Sequence, residues 1–212
     1  MHTINSTVAD KIAEAIDKHG YIILPAIFEE DFLSELLLRA KSLKDDELKA
    51  AGIGRGDQHK NNSDIRRDRI HWLDKSNEVE NKYLHWMESL RLALNQKLYL
   101  GLFDYEAHYA VYQQGDFYKK HVDSLKGASN RMLSSVFYLN ENWQQDNGGE
   151  LLIYSDEGDN VIEKVQPDYG TLVIFLSEQF PHEVLAANKT RYSIAGWFRV
   201  NASNSQHVDT IY

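Results

Sequence analysis

The sequence has 212 residues, 42% of them hydrophobic and 26% charged, with a formal net charge of −9. A chain of that size can bury one sizeable core, and its acidity argues against general nucleic-acid binding, which needs a basic surface to displace counterions from phosphate. The absence of cysteine excludes disulfides, thiolate metal sites and cysteine nucleophiles, and the longest apolar runs, 21–25 and 171–176, are too short to cross a bilayer.

Residues 1–7 lack the basic start and apolar core of a signal peptide, so a cytoplasmic protein is expected. After the cap-prone Asn5-Ser6-Thr7, residues Val8, Ile12, Ala15 and Ile16 recur at helical spacing, and Lys18-His19-Gly20 gives a basic last turn and a stop. Tyr21-Ile22-Ile23-Leu24 reads as a short strand. A second helix fits Glu29 to Leu43, with Phe32, Leu36, Leu37 and Ala40 on one face. A third fits Glu78 to Leu98, with the stripe Tyr83, Trp86, Leu90, Leu94 and Leu98. Between these two helices, residues 52–74 are polar and charged yet carry Ile65, Ile70, Trp72 and Leu73, the pattern of an ordered loop or hairpin. The glycine run at 52–56 is not followed by the strand–turn–helix context of a phosphate cradle.

From Phe103 the pattern turns to β. Short runs rich in Val, Ile, Tyr and Phe span 107–112, 132–139, 149–154, 160–165, 171–175, 182–185 and 192–200, separated by turn-prone residues. That spacing suggests a sandwich or jelly roll. The expectation is one α+β domain over 1–212: helical support and a loop at 56–74 in residues 1–100, a β core over 101–200, and a tail over 201–212.

His121-Val122-Asp123 is the first chemically pointed feature. Residues two apart on a strand face the same side, so an imidazole and a carboxylate would converge, and His182 begins a later strand after Pro181. Two histidines and one carboxylate on one face of an octahedral metal leave three positions open, which suits Fe(II) binding a keto acid and dioxygen. A structural zinc site would want four protein ligands. His-x-Asp alone is a common triplet, and nine histidines make a chance partner easy to find. Arg191 strengthens the reading: an arginine within a β core is costly unless it meets an anion, and its planar fork matches a carboxylate. The bland alternative for Arg191 is an exposed strand end.

The order Tyr112, His121-x-Asp123, Tyr138, Gly148-Gly149, Pro181-His182-Glu183-Val184, Arg191 and Trp197 resembles the 2-oxoglutarate- and Fe(II)-dependent prolyl hydroxylases, especially the oxygen-sensing enzymes of animals and their bacterial relatives. The resemblance covers about residues 52 to 200 and includes 64–73, which looks like that family's mobile substrate loop. It implies a double-stranded β-helix (jelly roll) core buttressed by the N-terminal helices. Carried over by position, it implies that His121, Asp123 and His182 ligate iron and that Arg191, aided by the Tyr138 hydroxyl, grips 2-oxoglutarate. Tyr112, Leu151, Val184 and Trp197 would line that pocket. Asp68, Ile70, Trp72 and Arg131 would meet a proline-containing peptide, with Asp68 and Arg131 pairing where loop and barrel meet. Each has a plainer alternative: strand Leu and Val are usually core, and an Asp–Arg pair can be an ordinary surface contact.

The resemblance further implies molecular oxygen as co-substrate, ascorbate as reductant, and a prolyl residue of translation elongation factor Tu as candidate substrate. The competing readings are a hydroxylase of small molecules or free amino acids, an oxygenase of nucleobases, which the net charge disfavours, and a non-catalytic jelly-roll module. No nucleic-acid or membrane partner is expected.

Overall fold

The computed structural model describes residues 3–52, 62–124 and 130–201; the first part of the 56–74 loop, the glycine run beyond residue 52, and the expected tail beyond residue 201 lie outside them. The first helix, α1 (Ser6–His19), begins at Asn5, whose side chain accepts the Thr7 N–H, and ends on Gly20 at φ 76°. Its apolar stripe Ala9, Ile12, Ala13 and Ile16 is buried. Strand β1 (Tyr21–Leu24) and helix α2 (Glu30–Ser42) follow. Helix α3 (Glu78–Leu98) is capped by Asn77, which accepts the N–H groups of Val79 and Glu80. The three helices fall within a residue or two of the positions that periodicity predicts.

The strands are β2 (Lys49–Ala50), β3 (Arg69–Trp72), β4 (Leu102–Tyr112), β5 (Tyr118–His121), β6 (Arg131–Tyr138), β7 (Leu151–Tyr154), β8 (Val161–Val165), β9 (Leu172–Leu176), β10 (His182–Val184) and β11 (Arg191–Val200). They form two antiparallel sheets. The larger runs β1-β9-β6-β11-β4-β3-β2 and the smaller β5-β10-β7-β8. This is the expected jelly roll buttressed by helices.

Strand alternation divides the core in two. Tyr109, Phe137, Leu172, Ile174, Ile194 and Phe198 face the helices and pack with Ile12, Leu36, Tyr83, Met87 and Leu90. Their neighbours Ala110, Tyr112, Tyr138, Val173 and Phe175 face the other way and pack between the sheets with Leu151, Ile153 and Val184. The inner face of the large sheet lines a pocket between the sheets, and β11 at its centre turns Arg191, Ser193, Ala195 and Trp197 towards it.

The sequence reading misses β2 and β5 and the first half of β4. Tyr118–His121 is too short and too cationic, with Lys119 and Lys120 exposed, to show a strand pattern. Strand β4 starts at Leu102, five residues before the recognised run, because Asp104 and Glu106 break the apolar pattern while being buried or nearly so by pairing with Arg199 and Arg131. Residues 62–74 are an ordered segment, as expected. Ile65 and Arg67 exchange backbone hydrogen bonds with Lys119 and Phe117 beside β5, and residues 69–72 join β4. The segment thus spans from one sheet to the other.

Glu80, with no sequence signal beyond a polar residue in a helix, is fully buried where β3, α2 and α3 meet. Its carboxylate accepts the Nε–H of Arg39 at 2.7 Å and the backbone N–H of Asp74 at 2.6 Å. Glu80→Ala removes one partner of a mostly buried ion pair and orphans a backbone donor, so it is expected to destabilise the fold by about 3 kcal/mol. Glu80→Gln, which keeps an acceptor for Asp74, should lose less. Denaturant midpoints of the two variants check this; equal stability of Glu80→Ala and the parent would show that the pair contributes nothing.

Candidate functional site

Antiparallel pairing builds the first half of the site. β10 lies beside β5 in the register that sets His182 directly opposite His121. Each imidazole has its Nδ1 close to a backbone carbonyl two residues upstream, Lys119 at 2.8 Å for His121 and Phe180 at 3.0 Å for His182. With the Nδ1 proton donated there, both Nε2 atoms are free to act as ligands. Asp123 joins them, though not as a strand residue: β5 ends at His121, and the bend after it carries the carboxylate round. Its oxygens lie 3.5 Å from His121 Nε2 and 3.6 Å from His182 Nε2. The three ligand atoms fall within 4.8 Å of one another, the only such group of three among the described residues.

The electrostatics suit a divalent cation. Burial alone would raise the Asp123 pKa, but His182, His121 and Arg131 outweigh it and hold the carboxylate well below the usual range. Burial, reinforced by His121, lowers the His182 pKa to about 4, so this imidazole is neutral near pH 7. A charged carboxylate and a neutral imidazole are the forms a metal requires. Ser134 Oγ donates to Asp123 at 2.6 Å and lies 2.8 Å from Ser177 Oγ, fixing one carboxylate oxygen and leaving the other available. Nothing in the strand Met132-Leu133-Ser134-Ser135 announces this role.

The second half is Arg191, at 1% exposure. Its Nη1 donates to Ser193 Oγ at 3.1 Å, but Nε and Nη2 have no hydrogen-bond partner among the described residues. The buried Tyr138 hydroxyl also makes no well-formed hydrogen bond. Burial pushes the Tyr138 pKa up to about 12 against the pull of Arg191, so the phenol remains a donor. The guanidinium carbon sits 4.8 Å from the Tyr112 ring centre and 5.0 Å from that of Tyr138. A buried, half-satisfied guanidinium carries a desolvation penalty of several kcal/mol unless an anion joins it. Backbone geometry makes room for it: Gly149 has φ 72°, and a Cβ there would stand 3.0 Å from Arg191 Cδ.

One pocket contains both halves. His121, Asp123, His182 and Arg191 line it with Tyr112, Leu151, Val184 and Trp197, and also with Arg66, Tyr118 and Val136, to which the sequence reading gave no role. Tyr138 lies against Arg191. The residues assigned to peptide contact are arranged differently from the expectation. Asp68 is buried and takes both donors of Arg66, at 2.6 and 2.8 Å, while Arg131 binds Glu106 and lies 3.5 Å over the Trp197 ring. The Asp68–Arg131 pair is thus replaced by a more local partner for Asp68. Ile70 packs against the inter-sheet core. Trp72 is 48% exposed and touches His108 and Trp197 by its ring, which ties the segment to the body of the fold. His108 is buried beside both tryptophans, and its burial lowers its pKa to about 3.

The sequence profile described as the 2OG-Fe(II) oxygenase superfamily matches residues 107–199, the stretch that supplies all three candidate ligands and Arg191. A prolyl-4-hydroxylase from Pseudomonas putida has a similar structure: TM-score 0.83 and 37% identity, covering 92% of this chain and 100% of that one. A Trichoplax adhaerens prolyl hydroxylase, solved with a hypoxia inducible factor oxygen degradation domain peptide fragment, shares the fold at TM-score 0.81 and 24% identity over 92% of this chain and 90% of that one. Human prolyl hydroxylase EGLN3 is 31% identical over 165 residues, 74% of this chain and 66% of that protein. The chain spans between 28% and 66% of the length of the curated relatives it matches.

Two outcomes test the halves separately. His121→Ala and His182→Ala should each abolish tight Fe(II) binding, measured anaerobically by calorimetry, with circular dichroism unchanged, since each removes a ligand and little packing. Parent-like affinity in both would locate the metal elsewhere. Arg191→Leu should weaken 2-oxoglutarate binding by about 2–5 kcal/mol, the usual loss on truncating one side of a buried charge pair. Arg191→Lys should recover only part of it, because a point charge cannot reproduce the fork; an unchanged titration in Arg191→Leu removes this residue from the role.

Proposed function

The chain belongs to the 2OG-Fe(II) oxygenase superfamily, and we propose that it is a 2-oxoglutarate-dependent dioxygenase that hydroxylates a prolyl residue of a protein. One observation carries this: a His–Asp–His face and a buried arginine without an anion share a single pocket. In this reading His121, Asp123 and His182 hold Fe(II). The free Nε and Nη2 donors of Arg191 grip the distal carboxylate of 2-oxoglutarate, and the Tyr138 hydroxyl donates to the same group. Bound Fe(II), with 2-oxoglutarate and molecular oxygen, supplies the oxidising power for an unactivated C–H bond, with succinate and carbon dioxide as products.

The remaining work falls to the protein. Ser134 holds one Asp123 oxygen, so the carboxylate presents the other in a fixed direction. Tyr112, Val136, Leu151, Val184 and Trp197 exclude water from the pocket, which leaves the attraction between Arg191 and a dicarboxylate poorly screened. The pocket fixes the distance between the arginine and the His–Asp–His face, and so selects a short dicarboxylate whose other end reaches the metal. Ascorbate is the proposed reductant that keeps iron ferrous.

The prolyl assignment is supported by the likeness in sequence and fold to prolyl hydroxylases. It is also supported by Trp72, whose half-exposed ring beside Trp197 and Arg131 offers an apolar face to a pyrrolidine ring. Trp72 and Arg131 contribute to the peptide contact, while Asp68, paired with Arg66, and Ile70, packed on the inter-sheet core, hold 65–72 in place behind it. Elongation factor Tu is the first candidate substrate, and the cytoplasm the proposed location. Among the described residues no helix is long and apolar enough to cross a membrane.

The protein incubated with Fe(II), 2-oxoglutarate, ascorbate and elongation factor Tu should add one oxygen atom to a defined prolyl peptide, read by mass spectrometry, with succinate formed in equal amount. Oxygen transfer to free proline or another small molecule, with none to proline-containing peptides, would establish the small-molecule reading instead.

A further inference from the structure

The three candidate ligands are not held equally well. The His182 side chain is 6% exposed and its ring meets the edge of Phe175 at 4.7 Å. Asp123 is 9% exposed and pinned by Ser134. His121 is the most open, at 16%, and is the last residue of a four-residue strand whose pairing with β10 shifts register just before it, between Tyr118 and His121. Besides the Lys119 carbonyl at its Nδ1, what fixes its ring plane is Tyr118. The two rings stack with centres 3.6 Å apart and planes inclined by 14°. Neighbours three apart on an extended strand do not normally stack, so the end of β5 is curled to bring them together.

Tyr118 is in turn tied to the segment that spans the sheets. The Arg66 guanidinium lies 4.6 Å from the Tyr118 ring centre, and both donors of its fork are taken by buried Asp68. The backbone repeats the connection: Arg66 bridges to Tyr118, Lys119 donates to Ile65 at 2.9 Å and Arg67 donates to Phe117 at 3.1 Å. Asp68, Arg66, Tyr118 and His121 thus form a continuous series of contacts from the spanning segment to a candidate metal ligand. A ring stacked flat on an imidazole resists its rotation about χ2. An Nε2 free to rotate would lose alignment with the other two ligands.

We propose that Tyr118 is a positioning residue for the metal, its ring setting the plane of the His121 imidazole and Arg66 holding that ring, so that the placement of segment 65–68 is felt at the metal. The proposal rests on His121 being a ligand, but it assigns a role outside the ligand set and the 2-oxoglutarate clamp. Its corollary is that a substrate displacing Arg66 from Tyr118 alters metal coordination without touching a ligand.

Anaerobic calorimetry with Fe(II) alone, without 2-oxoglutarate or peptide, tests this. Tyr118→Leu should weaken Fe(II) binding by about tenfold, at the lower end of losses from outer contacts to metal ligands. Tyr118→Phe keeps the ring and should stay within about twofold of the parent. Parent-like affinity in Tyr118→Leu, or an equal loss in Tyr118→Phe, overturns the proposal. Arg66→Met is a second variant that spares the tyrosine. Removing a cation near a divalent site should by Coulomb's law strengthen metal binding, whereas loss of positioning should weaken it by about threefold. An unchanged or stronger affinity cuts segment 65–68 out of the device. His121→Ala, measured alongside, separates the two levels: if it binds Fe(II) as the parent does, the reading of the metal site has failed, and not this inference alone.

Discussion

The Arg191 guanidinium at 1% exposure, with two of its nitrogens unpartnered among the described residues, is the constraint from which much of the inner architecture follows. A buried cation without its anion is tolerated only when the surroundings are built for the occupied state. β11 delivers it from the centre of the large sheet. Gly149, at a positive φ, leaves space against its Cδ. Tyr112 and Tyr138 present ring faces to it and Ser193 takes one donor. None of these neighbours carries a negative charge, so the pocket keeps its cationic potential for a ligand. The same register that pairs Arg191 with Tyr112 and Ser193 with Tyr138 sends Ala195 and Trp197 along the inner face towards the metal ligands. The spacing between Arg191 on β11 and the His–Asp–His group at β5 and β10 is therefore set by how the two sheets pack on each other.

How much of this was legible in the sequence depended on whether a residue's role came from its own chemistry or from a partner brought in by the fold. His121 and Asp123 stood out by their two-residue spacing together with a later His182, and Arg191 because an arginine within an apolar β run needs a reason to be there. Tyr112, Leu151, Val184 and Trp197 were legible only through resemblance, since an apolar strand residue looks the same in a pocket wall as in plain core. Ser134 was not legible at all: its partners Asp123 and Ser177 are far from neighbouring in sequence, and serine in a strand carries no signal. Glu80 was hidden in the same way, an acid on a helix whose burial is explained by Arg39 and the Asp74 amide. Helix bounds were well read because caps at Asn5, Gly20 and Asn77 are local features. Strand β5 was missed because its residues have no apolar pattern.

The spanning segment connects the two sheets. Composition marked 64–73 as an ordered loop and the family likeness marked it as mobile. Its described residues are hydrogen bonded to both sheets, with Arg66 next to Tyr118 and with residues 69–72 forming a strand beside β4. Detaching it would expose the Arg66–Asp68 pair, half-buried Ile65 and Ile70, and several backbone groups together. Residues 62–74 are thus tied to both sheets by several independent contacts.

Charge distribution joins these points. The chain is acidic overall, yet its inner face is lined by arginines, and each of them except Arg191 is matched to a carboxylate among the described residues. Arg66 meets Asp68, Arg131 meets Glu106, and Arg199 meets both Asp104 and Glu106. Such pairs contribute little net stability once desolvation is counted, so their value lies in what they keep out of the pocket. A matched pair neither competes with Arg191 for an incoming dicarboxylate nor offers Asp123 a second cation in place of a metal. An unmatched arginine near the triad would do both. Arg191 is thereby left as the arginine of this group without a carboxylate among the described residues, while Asp123 lies between the two imidazoles; in the proposed reading an incoming dicarboxylate completes the first and a metal the second.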